Sequence, residues 1–258
     1  ALERTIAAST EFQCVLDLCW EICQEHSILV FCASRQQSVD TARNIARGLA
    51  AKKAAKAAEE GRNPGLASTQ QIRRSRDIED MLKNVAANNE PVLSESLQHG
   101  VAFHHAGLLA EERTLIENAF RSKVVTVLCC TSTLAAGVNL PARRVIFKTP
   151  YIGRDFLTKS RYSQMCGRAG RAGLDTFGES YMVLWKKGDI ERGKTLMTSA
   201  VENTKSVMFM ERAIFLKSLV ESVAAGACKT VKGAQDWGRS LLANHIDASL
   251  PDGGNCLQ

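Results

Sequence analysis

The sequence predicts an α/β fold in which a parallel sheet carries helices on both faces, followed by a smaller helical segment. Three observations carry that expectation. Short, almost uninterrupted apolar runs alternate with stretches of helical periodicity, as strands joined by crossover helices do. Turn-forming residues punctuate the boundaries between them. The 258 residues, 45% of them hydrophobic, suffice for one α/β core with a smaller piece beside it.

Five runs qualify as strands: 27–33, 101–104, 124–130, 144–148 and 179–184. Each reads as buried on both faces, because apolar residues follow one another instead of alternating. Ahead of the first, Cys14, Cys19 and Cys23 fall at helical spacing among Val15, Leu16, Leu18 and Ile22, which marks a buried helix face. A long helix rich in Ala, Lys and Arg is expected over 38–60, ended by Gly61, Asn63, Pro64 and Gly65. A second charged helix is expected over 70–87, and all of 52–95 reads as a solvent-exposed insertion. Beyond residue 184 the pattern turns helical, over 189–198, 206–225 and 232–246, with Gly226 in a short turn between the last two. The expected domains are therefore 1–200 for the α/β part and 201–258 for the start of a helical domain.

No apolar run approaches the roughly 18–20 residues of a membrane-crossing helix. The chain opens on Ala1 without a signal-like segment, which suggests an excerpt from a longer intracellular protein. Nine cysteines occur, but no C-x-x-C pair, so small buried thiols are expected and no metal site. The adjacent His104 and His105 do not suggest a metal either, since neighbours on a strand point to opposite faces. The net charge of +6 is concentrated: residues 143–187 hold ten Lys or Arg and three acids. Such a local field suits a polyanion or is simply solvated.

The strongest chemical signal is Gln164-Met165-Cys166-Gly167-Arg168-Ala169-Gly170-Arg171. On a helix, Gln164, Arg168 and Arg171 would share one face. Gly167 and Gly170 would each weaken that helix by about 1 kcal/mol relative to Ala. Their expected use is close backbone approach to a ligand or a neighbouring domain. No acid stands within the motif itself, and two planar guanidinium forks suit the oxygens of a polyphosphate. A second segment, running from Thr131, Ser132 and Thr133 through Gly137 and Asn139 to Ala142, follows a strand directly. Its hydroxyls open onto free helix N–H groups that would hold a phosphate, or they cap the helix. Local chemistry leaves both open.

Together these two segments resemble motifs VI and V of superfamily 2 helicases. Residues 27–35 resemble motif IV, and 100–108 the family motif that follows it. The wording Gly137-Val138-Asn139-Leu140-Pro141-Ala142-Arg143-Arg144-Val145-Ile146 is similar to the Ski2-like branch, nearest the HELQ and DNA polymerase theta group. The resemblance covers 27–184 well and 206–246 weakly. It implies a second RecA-like motor domain and the beginning of a winged-helix-like domain, in an ATP-dependent helicase moving 3′ to 5′ on DNA. It also implies roles for single residues. Arg171 is the arginine finger, Arg168 its partner on the γ-phosphate, and Gln164 couples nucleotide state to domain closure. Gly137 lies by the nucleotide and Asn139 reaches the ribose. Thr133, Ser34, Arg35 and His105 meet the nucleic-acid backbone, Ser34 and Arg35 from the carboxyl end of their strand. Tyr151, Ile152 or Phe156 belongs to a strand-parting hairpin and stacks on a base pair at the fork.

No phosphate loop and no D-E-x-H box occurs in the sequence. Residues 233–240 only approximate the loop, with Arg239 where lysine is required and inside a predicted helix. ATP and Mg2+ are therefore expected to be held mainly by a first motor domain of the same protein, and this chain alone is expected to be inactive. Single-stranded or forked DNA is the expected partner, with a role in DNA repair in the nucleus and no membrane. Two alternatives stand beside this: an RNA helicase of the same branch, and a non-catalytic nucleic-acid-binding adaptor, against which Arg168 and Arg171 argue.

Overall fold

The fold is given by a computed structural model that describes residues 10–60, 76, 91–170, 177–200 and 212–240. It divides into two compact units, 1–200 and 201–258. In chain order the first unit contains α1 (Glu11–Ile22), β1 (Ile28–Phe31), α2 (Arg35–Glu59), α3 (Pro91–Leu97), β2 (Val101–His104) and α4 (Ala110–Arg121). There follow β3 (Val127–Cys130), α5 (Thr133–Gly137), β4 (Arg144–Phe147), the strand pair β5 (Tyr151–Ile152) and β6 (Asp155–Phe156), α6 (Lys159–Cys166), β7 (Glu179–Met182) and α7 (Lys187–Thr198).

Five of the strands form one wholly parallel sheet in the order β2-β3-β1-β4-β7. Every residue of β1 to β4 is buried, so both faces of the sheet are covered, as the continuous apolar runs require. The edge strand β7 is partly exposed. All five strands fall where the sequence predicts them, most of them shortened at the ends: the run 27–33 holds β1 and the run 124–130 holds β3. Register aligns the carboxyl ends, with Phe31 beside both Cys130 and Phe147, His104 beside Cys130, and Phe147 beside Met182. Whatever follows those five residues is presented along a single edge.

Of the stretch 52–95, residues 53–56 and 58–60 are exposed as expected, while part of the rest is held against the core. Lys52, in the middle of α2, pairs with Asp17 of α1 at 2.9 Å, and Leu93 and Leu97 of α3 are fully buried. The charged helix expected over 70–87 lies, Arg76 apart, outside the described residues. Burial of the cysteines follows the apolar pattern: Cys19, Cys23, Cys32, Cys129 and Cys130 are buried and form no disulfide. Burial pushes the Cys32 thiol up to about 11 and raises Cys19, Cys129 and Cys130 as well, so these groups act as small apolar packing units. In the second unit, α8 (Arg212–Ala224) and α9 (Val231–Ser240) are joined through Gly226 at φ 75°, and the Phe215 and Trp237 rings lie 6.0 Å apart.

Two buried polar clusters shape the first unit. Arg144, 3% exposed at the start of β4, donates to Glu179 Oε2 from Nε and Nη2 at 2.7 and 2.6 Å. Its Nη1 donates to Glu21 Oε2 at 2.8 Å and to the Leu18 carbonyl at 2.6 Å. One cation thereby fastens α1, β4 and β7 together. At the far side of the sheet, His104 Nε2 lies 3.0 Å from Glu117 Oε1 of α4. A carboxylate only accepts, so Nε2 carries the proton, and the buried Nδ1 has no partner. Burial pulls the His104 pKa below its usual 6.5, against the opposing pull of Glu117.

Replacing Arg144 by Ala should destabilise the domain by about 3 kcal/mol, the low end for removing one partner of a buried pair, because Glu21 and Glu179 keep part of their water. Urea unfolding measures it. The His104 pair sets a pH dependence. Its native pKa is depressed, so the unfolded chain takes up the proton first as pH falls. Stability is complete above pH 6.5 and is lost as pH drops through the native value. His104→Gln should flatten that slope in urea midpoints taken at about pH 7.5, 6.5 and 5.5. His99 and His105, also pulled down by burial, should leave a residual slope.

Candidate functional site

The carboxyl edge of the sheet brings the expected contact residues into a row. After β1 the chain turns into α2, where Ser34 is the N-cap: its Oγ accepts from the Gln37 amide at 3.2 Å. That use occupies an oxygen lone pair but leaves the hydroxyl proton free to donate. Arg35, the first helical residue, is exposed. After β2, His105 Nδ1 accepts from the Gly107 amide at 3.1 Å, and its ring stacks on Phe103 with centroids 5.6 Å apart. Burial and the neighbouring Arg35 hold its pKa below the usual value, so the ring is neutral near pH 7. With Nδ1 accepting, the proton sits on Nε2, a donor that an anion can use. The pair His104 and His105 thus splits across the strand as expected, one into the core and one toward the edge.

Beyond β3 the hydroxyls of the turn are not used as helix caps. Ser132, the residue before α5, is helical in backbone and makes no side-chain cap bond. Thr131 and Thr133 hydroxyls bond each other at 2.9 Å, and Thr133 is exposed. Capping therefore does not account for these groups. Gly137 closes α5 and Asn139 is exposed.

The arrangement around Arg168 departs from the helical face expected for Gln164, Arg168 and Arg171. Helix α6 ends at Cys166, with Gly167 as its C-cap, so exposed Gln164 is in the last turn and Arg168 lies beyond the helix. The Arg168 and Ala169 amides close short turns onto the Met165 and Cys166 carbonyls. The chain then pairs in parallel with Ala142: the Ala142 amide donates to the Arg168 carbonyl at 2.9 Å, and the Gly170 amide to the Ala142 carbonyl at 2.7 Å. The Arg168 guanidinium donates through Nη2 to the Ala135 carbonyl of α5. Gly170 takes φ 92°, and a Cβ on Gly178 would stand 2.4 Å from the Ala169 carbonyl carbon. The close approach expected of the glycines is thus made to the chain's own backbone, by Gly170 and Gly178. Nothing in the sequence pattern singled out Gly178. Arg171 lies outside the described residues.

Tyr151 and Phe156 sit on the expected hairpin, whose turn contains Gly153 at φ 60° and is held by the Gly153 amide donating to the Ala33 carbonyl at 2.8 Å. Both half-buried rings have partners within the domain. They pack edge to face at 5.4 Å; Tyr151 donates its hydroxyl to the buried Asp189 at 2.7 Å, and the Arg192 guanidinium covers Phe156 at 4.1 Å. The bond to Asp189 raises the Tyr151 pKa. Asp189 and Arg192, both on α7, were missed because only the fold brings them to the hairpin. Among the described residues no cluster of three or more His, Cys, Asp or Glu is placed to hold a metal ion, and no helix is long and apolar enough to cross a membrane.

Comparison with known proteins agrees with this architecture. The family described as helicase conserved C-terminal domain matches residues 69–173. Helicase POLQ-like of Drosophila melanogaster is 42% identical over 203 residues, covering 79% of this chain and 18% of that protein. DNA polymerase theta of Mus musculus is 34% identical over 251 residues, 95% of this chain and 10% of the relative. ATP-dependent DNA helicase Hel308 of Methanococcus vannielii is 40% identical over 126 residues, 47% of this chain and 17% of the relative. The chain spans less than a fifth of the length of these relatives. With the five-stranded parallel sheet and the paired segments at its edge, this makes the chain a helicase C-terminal motor domain of the Ski2-like branch of superfamily 2.

Proposed function

We propose that this domain is the second motor domain of an ATP-dependent helicase that moves 3′ to 5′ along single-stranded DNA and acts in DNA repair in the nucleus. The observation that carries the proposal is the backbone pairing of Ala142 with Arg168 and Gly170, which joins the segment bearing Thr133 to the one bearing the arginines. The names of the relatives, a DNA polymerase and DNA helicases, favour DNA over RNA. Thr133, Ser34, Arg35 and His105 hold the strand by its phosphates, a contact that positions the strand without reading its bases. Gly137 and Asn139 border the nucleotide, whose phosphates and Mg2+ are held mainly by the first RecA-like domain. Arg171 acts as the finger that neutralises charge on the transferring phosphoryl group, with Arg168 beside it and Gln164 relaying nucleotide state.

In the full-length protein, Arg171→Ala should lower steady-state ATP turnover at saturating single-stranded DNA by about 10³–10⁵, with nucleotide binding retained. Arg171→Lys should rescue poorly, since an ammonium keeps the charge but loses the planar fork. Near-normal turnover in Arg171→Ala removes the finger, and a full-length wild type without turnover makes the protein an adaptor. Thr133→Ala should weaken single-strand binding by about 1 kcal/mol without sequence dependence.

A further inference from the structure

The hairpin and the segment after β7 leave the sheet side by side, because Phe147 pairs with Met182 and the Val183 amide donates to the Phe147 carbonyl at 2.9 Å. The hairpin's own aromatic rings are occupied by each other, by Asp189 and by Arg192. After β7 the chain buries Val183 and then exposes Trp185, with 52% of its surface in water. Phe177 is also exposed, but it precedes β7 at the opposite edge and the Arg143 guanidinium lies over its ring at 3.5 Å. At the carboxyl edge, then, Trp185 is the aromatic plane that the described residues leave uncovered.

Its surroundings are cationic. Lys186, 5.7 Å from the Tyr151 ring, and Lys187 follow directly, Arg154 is exposed on the hairpin turn, and Arg192 is exposed on α7. Against these four stand exposed Asp155 and Glu191, the latter 3.7 Å from Lys194; Asp189 is buried on Tyr151. A single exposed apolar residue is ordinary on a protein surface. An exposed indole flanked by lysines, at the edge where ligands of parallel sheets bind, is a stacking platform beside a phosphate-binding stripe. A protein partner would need acidic residues around an apolar anchor; a single nucleic-acid strand supplies regular phosphates and flat bases together.

We propose that Trp185, with Lys186 and Lys187, is a nucleic-acid contact: the indole stacks on a base of the strand passing the hairpin while the two lysines meet its phosphates. The inference rests on the proposed function and deepens it. Trp185, not Tyr151 or Phe156, is the aromatic that meets a base at this edge.

The test uses the 258-residue chain and two labelled strands of equal length, oligothymidine and its abasic counterpart. They carry the same charge and differ in having a base to stack. Trp185→Ala should weaken oligothymidine binding about tenfold or more and leave the abasic strand unchanged, while Trp185→Phe retains most of the affinity. Lys186→Ala and Lys187→Ala should weaken both strands and each reduce the salt slope by about 0.7. Equal oligothymidine affinity in Trp185→Ala and wild type, with Thr133→Ala still impaired, overturns the inference and leaves the proposed function standing. A wild-type chain that binds neither strand overturns the inference, and a full-length protein that binds neither overturns the proposed function as well.

Discussion

Ala142 exchanges two backbone hydrogen bonds with the segment 168–170, and most of the functional edge depends on that short pairing. Neither segment has a regular element to hold it there. Helix α6 has already ended at Cys166, and α5 is only five residues long. The pairing substitutes for both, and the bond from Arg168 to the Ala135 carbonyl ties the arginine's side chain to the helix that Thr133 begins. It is possible only because two glycines meet. Gly170 adopts a backbone conformation that a Cβ would strain, and Gly178 passes so near Ala169 that a Cβ has no room. Under the proposed function, this backbone link is what would make the strand-holding and nucleotide-facing segments move together.

The pairing is itself supported from below. Arg144, two residues after Ala142, is locked by Glu21, Glu179 and the Leu18 carbonyl, which fixes the start of β4 against β7 and α1. Glu179 is one residue after Gly178, so the carboxylate that neutralises Arg144 also places the glycine that receives Ala169. Buried ion pairs contribute little net stability when compared with apolar packing of the same shape. Here the pair specifies position: it sets where a backbone of marginal secondary structure lies relative to the sheet.

Much of this was legible in the sequence where the signal is local. Nearly continuous apolar runs locate four strands, the more polar 179–184 run locates the partly exposed edge strand β7, and the alternation of side chains along the β2 direction separates His104 from His105. The strand order was not legible, because it is decided by pairings between residues as distant as Ile28 and Arg144. The helical face proposed for Gln164, Arg168 and Arg171 fails for the same reason. Helical spacing continues through Gly167, but the long-range bonds to Ala142 outweigh it and draw the chain into an extended course. Tyr151 and Phe156 looked exposed because Asp189 and Arg192, which engage them, lie more than thirty residues on.

The central claim is that the paired segments transmit between nucleotide and strand. The direct measurement is the affinity of the full-length protein for single-stranded DNA with and without a non-hydrolysable ATP analogue, in wild type and in Gly178→Ala. A Cβ at Gly178 must displace Ala169 and Gly170, and with them the pairing to Ala142. Wild type should show a coupling of about 5- to 150-fold between the two ligands. Gly178→Ala should bind each ligand alone and show almost no coupling. A folded Gly178→Ala protein with the full wild-type coupling would contradict the claim.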